Sequence, residues 1–192
     1  MLQHLYLTLG WILYCFLHSF LAKEKIKGKI PSLLNATVPY RVLYNFFAFI
    51  TLAILIWFQF HITSVQLFKT PEFILYASIV MASTGIAIMV ICVLKYFPQL
   101  SGLRESYKDE LRTDGIHRYV RHPLYLGTFL LIIGLFLIYP LLKNVLALII
   151  IIIYTLIGIN IEEKKLLEHF GEKYKAYKTK VPSIIPFTKI TR

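Results

Sequence analysis

Arg121-His122-Pro123-Leu124-Tyr125-Leu126-Gly127 opens an uncharged run that continues to Tyr139, and a second uncharged run follows it almost at once, from Leu141 to Ile161 with only Lys143 near its start. Crossing the hydrocarbon core of a bilayer takes about 20 mostly apolar residues. With only a turn near Pro140 between them, the two runs read as a tight antiparallel helical hairpin in a membrane. Charged groups at the mouth of such a run are costly unless they serve a purpose, so the residues at 121–125 mark a candidate working site at the membrane surface.

Working outward, three more runs of spanning length appear, from Leu5 to Ala22, Val42 to Phe60 and Phe73 to Leu94. The chain of 192 residues is 57% hydrophobic and only 16% charged, with a mean hydropathy of +0.65. That composition lies outside the range of soluble domains. The expected fold is an all-α integral membrane protein with five transmembrane helices. Met1 to Tyr6 carries no Lys or Arg and no small-residue cleavage site follows the first run, so that run is expected to be a permanent span rather than a secretory signal.

The net charge of +11 is explained by where the basic residues fall. Nineteen of the 21 lie between the first and second runs, between the third and fourth, or after the fifth, against only Lys69 and Lys143 on the other side. Basic loops stay on the cytoplasmic side, which predicts an outside N-terminus and a cytoplasmic C-terminus. The same distribution speaks against nucleic acid, because the basic residues flank spans and no recognition motif accompanies them. Cys15 and Cys92 both sit in apolar runs, where a free cysteine behaves as a small hydrophobe, and no metal site is expected. Neither repeats nor a linker break the sequence, so residues 1–192 are expected to form a single domain, with polar cytoplasmic pieces at Lys95 to His122 and Glu162 to Arg192.

Pro123 suits the first position of a helix, since its missing N–H would have been unpaired there, and it biases His122 away from helical geometry. The first-turn amides of Leu124, Tyr125 and Leu126 then form an anion seat, with the charge of Arg121 beside it. At roughly 1.5 Å per residue the two arms of the hairpin rise about 24 Å and descend about 30 Å, returning Glu162 and Glu163 to the level of Pro123. Arg121, His122, Tyr125, Glu162 and Glu163 are therefore expected to converge. The cluster suits catalysis, and it also suits an interfacial anchor in which Glu163 pairs with Arg121. Gly127 and Gly134, seven apart on one helical face, are expected to admit a close helix neighbour or a ligand, and Gly158 carries the same alternatives.

The stretch from Leu111 through Thr113-Asp114-Gly115-Ile116-His117-Arg118-Tyr119-Val120-Arg121-His122-Pro123 to Gly127, the pair Glu162-Glu163, Phe170-Gly171-Glu172-Lys173-Tyr174, and Pro182-Ser183-Ile184-Ile185-Pro186 together resemble the isoprenylcysteine carboxyl methyltransferase and phospholipid methyltransferase superfamily. The resemblance covers about residues 95–187. It implies a membrane enzyme that takes a methyl group from S-adenosylmethionine on the cytoplasmic side and passes it to an acceptor arriving through the membrane. It places His122, Pro123 and Tyr125 in the cofactor-binding motif, with Glu162 and Glu163 completing the site; Leu126, in the same first turn, is a further candidate for cofactor binding, and Arg121 and Glu163 are the candidate catalytic residues. Gly115 matches the motif's leading glycine, whereas His117 stands where the family often has tyrosine. His18-Ser19, Tyr40-Arg41 and Tyr44-Asn45 resemble the branch of NnrU-like proteins and methanethiol methyltransferases, which implies a prokaryotic cytoplasmic membrane and makes His18, Arg41 and Asn45 candidate substrate residues.

The chemistry of the residues agrees with that expectation. Carboxylates at Glu162 and Glu163 and the face of Tyr125 suit a sulfonium and an ammonium, and the anion seat suits the methionyl carboxylate. Methyl transfer is an in-line displacement that needs positioning in a dry pocket and no metal. A thiol or amine acceptor would also need a base, for which Glu163 or His122 qualifies, whereas a carboxylate acceptor would need none. The expected function is methyl transfer to a small lipophilic or membrane-held acceptor, a small thiol being favoured. The rival is a non-catalytic membrane protein such as a small transporter or an assembly partner, against which the spans lack mid-membrane acidic residues.

Overall fold

Apolar side chains at helical spacing dominate every long segment, and the segments fold as helices. The computed structural model of the chain describes residues 1–22, 40–100, 111–186 and 188, with the side chains of Arg41 and of residues 96–100 also outside the description. In chain order the elements are α1 (Leu2–Leu21), α2 (Tyr40–His61), α3 (Glu72–Leu100), a 3-10 turn (Gly115–Arg118), α4 (Pro123–Ile138), α5 (Leu142–Phe170) and α6 (Glu172–Lys180). Among the described residues the one extended pairing is an isolated antiparallel bridge between Gln66 and Leu141.

Among the described residues four helices are long and apolar enough to cross a membrane: Leu2–Leu21, Val42–His61, Glu72–Lys95 and Leu142–Phe170. The run expected from Pro123 to Tyr139 forms a helix of 16 residues, apolar but shorter than those four. The run expected to close at Ile161 continues as helix to Phe170. Its added turns, Glu162 to Phe170, are polar in composition but keep Leu166 and Phe170 at a four-residue spacing, enough to give the helix a face to bury. Of the basic loops that set the expected orientation, residues 23–39 and 101–110 lie outside the described residues.

The chain packs as two compact units, the first comprising Met1–Lys69, Phe97–Ser106 and Pro140–Ile151, the second Thr70–Tyr96, Tyr107–Tyr139 and Ile152–Arg192. In the first, Leu7 and Trp11 of α1 pack with Leu55 of α2, Ile62 and Ala147 of α5. A polar chain runs beside that core: the Trp11 indole donates to Gln59 Oε1 at 2.8 Å, and the Gln59 amide donates to Asn144 Oδ1 at 3.0 Å. Polar bonds between apolar helices are directional, so they help fix the register of α1, α2 and the start of α5. Backbone bonds from Leu67 to the Pro140 carbonyl and from Leu142 to the Val65 carbonyl hold the turn before α5.

In the second unit α3 and α4 approach so closely that their glycines are required. A Cβ on Gly127 would stand 2.8 Å from Met89 Cγ and 2.9 Å from the Gly85 carbonyl oxygen, and one on Gly134 would stand 2.8 Å from the Ser78 carbonyl oxygen. Of the two alternatives raised by the sequence, helix packing accounts for both residues. A Cβ on Gly158, by contrast, meets nothing within 4 Å.

Candidate active site

The site is built within the second unit around the first residue of α4. His122 caps that helix with φ −122° and ψ 67°, outside helical geometry, and makes no side-chain cap bond. Pro123 before a helix enforces that break. The amide of Leu126 already donates to the His122 carbonyl at 3.1 Å, so the first-turn amides lacking a helical acceptor are those of Leu124 and Tyr125. The anion seat therefore has two amides rather than the three expected from sequence.

Arg121, His122, Tyr125, Glu162 and Glu163 do converge. Arg121 donates from Nε to Glu163 Oε1 at 3.0 Å and from Nη2 to the same oxygen. Its Nη1 donates to the carbonyls of Lys178, at 3.2 Å, and Val181. The ring of His122 is 5% exposed, with Nε2 3.3 Å from Glu163 Oε1 and Nδ1 3.7 Å from Glu162 Oε2. The Tyr125 hydroxyl donates to Glu162 Oε2 at 3.1 Å, and its ring stacks on His122 with centroids 5.6 Å apart. Buried Pro123 and half-buried Leu126 line the same first turn. The expected pairing of Glu163 with Arg121 is thus present, and the guanidinium is largely committed to it and to the two carbonyls.

Three further groups belong to the cluster that sequence reasoning did not assign. Lys178 reaches Glu163 Oε2 at 2.7 Å, so Glu163 carries a cation on each oxygen, and with Glu162 the two carboxylates of the cluster balance its Arg and Lys. The backbone of the C-terminal segment is strapped to the doorway: the amides of Arg121 and His122 donate to the carbonyls of Pro182, at 2.9 Å, and Ser183, at 3.0 Å. Below them His117 donates from Nδ1 to the Arg121 carbonyl at 3.1 Å, while the Tyr177 hydroxyl donates to the His117 carbonyl at 2.7 Å. Burial pulls the His117 imidazole below its ordinary range, overriding the opposing pull of the Arg121 carbonyl and Asp114.

A turn at Gly171 makes this possible. Gly171 adopts φ +52°, a left-handed conformation that glycine enters at no steric cost, and it caps α6 so that the chain folds back after α5. Tyr174, Tyr177 and Val181 then bury against Leu111, Leu166 and Phe170. The motifs at 170–174 and 182–186 were the available signal for these contacts.

The expected substrate residues lie in the first unit. The Tyr44 hydroxyl meets His18 Nδ1 at 3.0 Å and donates to the His18 carbonyl at 3.1 Å. Tyr14, Leu17, His18, Tyr44, Ala48 and Thr51 contribute to the wall of a cavity of about 20 Å³, room for one water. Asn45 is exposed and outside that wall, and the side chain of Arg41 lies outside the described residues. Cys15 is buried in α1.

The family model for phospholipid methyltransferase matches residues 72–173, more than half of the chain and most of the helices that build the cluster. The chain belongs to the phospholipid methyltransferase family. Methanethiol S-methyltransferase of Crocosphaera subtropica is 28% identical over 189 residues, covering 91% of this chain and 71% of that protein. Methanethiol S-methyltransferase 1 of Bradyrhizobium diazoefficiens is 26% identical over 191 residues, covering 92% of this chain and 65% of that protein. Protein-S-isoprenylcysteine O-methyltransferase of Schizosaccharomyces pombe is 40% identical over 87 residues, 41% of this chain and 34% of the relative. No solved structure matches the chain. The resemblance read from the motifs is the family found, and the Crocosphaera and Bradyrhizobium matches run nearly the length of the chain.

Proposed function

We propose that the chain is an S-adenosylmethionine-dependent methyltransferase of the membrane, acting on a small thiol, with residues 1–192 working as one domain. The observation that carries this reading is the charged cluster at the start of α4, in a chain whose long matches carry the name methanethiol S-methyltransferase. In this reading α4 is a fifth span, the N-terminus lies outside, and the C-terminus and the cluster face the cytoplasm, a placement that the distribution of basic residues supports.

The residues present fit the donor. Glu162, bound to Tyr125, offers a carboxylate to an ammonium, the amides of Leu124 and Tyr125 and the half-exposed cation of Lys178 suit a carboxylate, and His122 and Tyr125 present stacked rings. When bound, S-adenosylmethionine supplies an electrophilic methyl group. Arg121 and Glu163 act as a positioning pair: the guanidinium ties α5 and the C-terminal strap to the doorway and so sets where Glu163 and His122 stand. Since cations occupy both oxygens of Glu163, its work is charge balance rather than proton abstraction. Half-buried Leu126 and buried Pro123 help keep water from the cluster. His18, Arg41 and Asn45 serve the acceptor side.

Calorimetry on the protein in detergent tests the donor, with measurable heat expected for S-adenosylmethionine and for S-adenosylhomocysteine. Transfer of labelled methyl to methanethiol, giving dimethyl sulfide, tests the acceptor. A protein that binds neither nucleoside is the non-catalytic alternative, and one that binds both yet methylates only prenylated or phospholipid acceptors refutes the thiol assignment alone.

A further inference from the structure

Two features of the cluster remain unexplained by its static bonding. Glu163 is only 8% exposed, yet one of its cations, Lys178, has a side chain 53% exposed and reaches in from the surface. Beside it the Tyr174 side chain is 1% exposed, and its hydroxyl is the one buried side-chain polar atom without a hydrogen-bond partner among the described residues. Leaving a buried hydroxyl unpaired costs about 1–3 kcal/mol, so such a group calls for a partner in some other state of the site.

We propose that Lys178 is an exchangeable cation, which leaves Glu163 to pair with the carboxylate at the amino-acid end of the methyl donor while the Tyr174 hydroxyl takes its place on Glu163. This rests on the donor-site reading above and extends it to a specificity residue and a partner for it. Among the groups on Glu163, Arg121 cannot move, because its guanidinium also holds two carbonyls of the strap, and His122 is enclosed. Lys178 is a compact point charge on a long flexible stem with one ion-pair partner here, and it has solvent in which to swing. Once Lys178 turns to an incoming carboxylate, Arg121 still balances the charge of Glu163.

The exchange leaves no group unsatisfied. Departure of Lys178 would strip Glu163 Oε2 of its donor inside a closed site, a loss that a neighbouring hydroxyl repairs. Tyr174 is placed to do so: it stands one helical turn before Lys178 on α6, with its hydroxyl near the Arg121 guanidinium that Glu163 holds. Burial first, and then the charge of Glu163, push that hydroxyl up to about 12, so it keeps its proton and remains a donor throughout the physiological range. One rearrangement thus accounts both for the exposed cation and for the orphan hydroxyl.

The test compares S-adenosylhomocysteine with its decarboxylated analogue, by calorimetry and thermal unfolding of the full chain in detergent. Wild-type protein is expected to prefer the carboxylate-bearing ligand by about tenfold or more, the scale of one charge-assisted contact, and Lys178→Gln is expected to lose most of that preference. Tyr174→Phe removes a group that is unpaired without ligand, so its ligand-free melting temperature should equal or exceed that of wild type while S-adenosylhomocysteine binds several-fold more weakly. A Lys178→Gln protein that keeps the wild-type preference overturns the proposal, as does a Tyr174→Phe protein that melts lower without ligand. Wild-type protein that binds neither ligand refutes the donor site itself.

Discussion

At Glu163 a single carboxylate neutralises a buried guanidinium. Converting it to the amide leaves Arg121, whose side chain is 7% exposed, without an anion. Breaking a buried pair in this way costs about 3–5 kcal/mol, because an uncompensated charge stays behind. Glu163→Gln should therefore lower the thermal midpoint in detergent and abolish S-adenosylmethionine binding, whereas Glu172→Gln, which removes an exposed pair with Lys175, should alter neither. His117 adds a pH dependence that can be given a sign. Its pKa in the folded protein lies below the ordinary 6.5, so the unfolded chain takes up the proton more readily. The stability it contributes is complete above pH 6.5 and is lost as the pH falls toward and through the folded value. Unfolding midpoints measured from pH 8 to pH 5 should fall for wild type and fall less for His117→Gln, and equal slopes would remove His117 from the account.

Among the elements, the close crossing of α3 and α4 makes the sharpest demand. The atoms facing Gly134 are the backbone of Ser78 and Ala82 together with the Ala82 Cβ, none of which can swing aside. Gly134→Leu should destabilise by about 1–3 kcal/mol, the usual cost of overpacking, while Gly158→Ala, entering open space in a helix, should stabilise by about 0.5–1 kcal/mol. Unfolding of the two variants side by side measures both, and a tolerated leucine at 134 would mean that the helices part easily. The sequence made this contact partly legible, since small residues seven apart mark one helical face. It made the doorway legible as well, because helix rise alone returns Glu162 and Glu163 to the level of Pro123. It did not reveal the continuation of α5 to Phe170, because the end of an apolar run marks where burial in lipid would stop and not where helical hydrogen bonding stops. Lys178 was hidden, and Tyr174 was marked only by the motif at 170–174, for a related reason: their positions depend on the reversal at Gly171 and on the burial of Tyr174, Tyr177 and Val181, which are tertiary events with no periodic signature.

For the molecule as a whole, the open quantity is the number of crossings, and α4 decides it. Its 16 residues rise about 24 Å, against about 30 Å for the hydrocarbon core of a bilayer. A shortfall of that size is met by local thinning of the bilayer or by flanking polar groups reaching to the interface, at a modest cost per ångström. Here Arg121 stands at one end and Tyr139, an interfacial aromatic, at the other. If α4 crosses, the number of spans is odd, the two termini lie on opposite faces, and nineteen of the 21 Lys and Arg residues share the cytoplasmic side. If it does not, four spans leave both termini on one face, and the basic segments before α4 and after the apolar part of α5 fall on opposite sides of the membrane. The odd count keeps the basic residues together, so an N-terminal epitope should be reachable in intact cells and a C-terminal epitope only after permeabilisation. A cysteine introduced at Ser183, beside the strap on the doorway, should likewise react with an impermeant maleimide only in opened cells, in a background lacking Cys15 and Cys92. Labelling of both termini from the same side would refute the fifth crossing and the cluster with it, because Arg121 and Glu163, in contact here, would then lie on opposite faces.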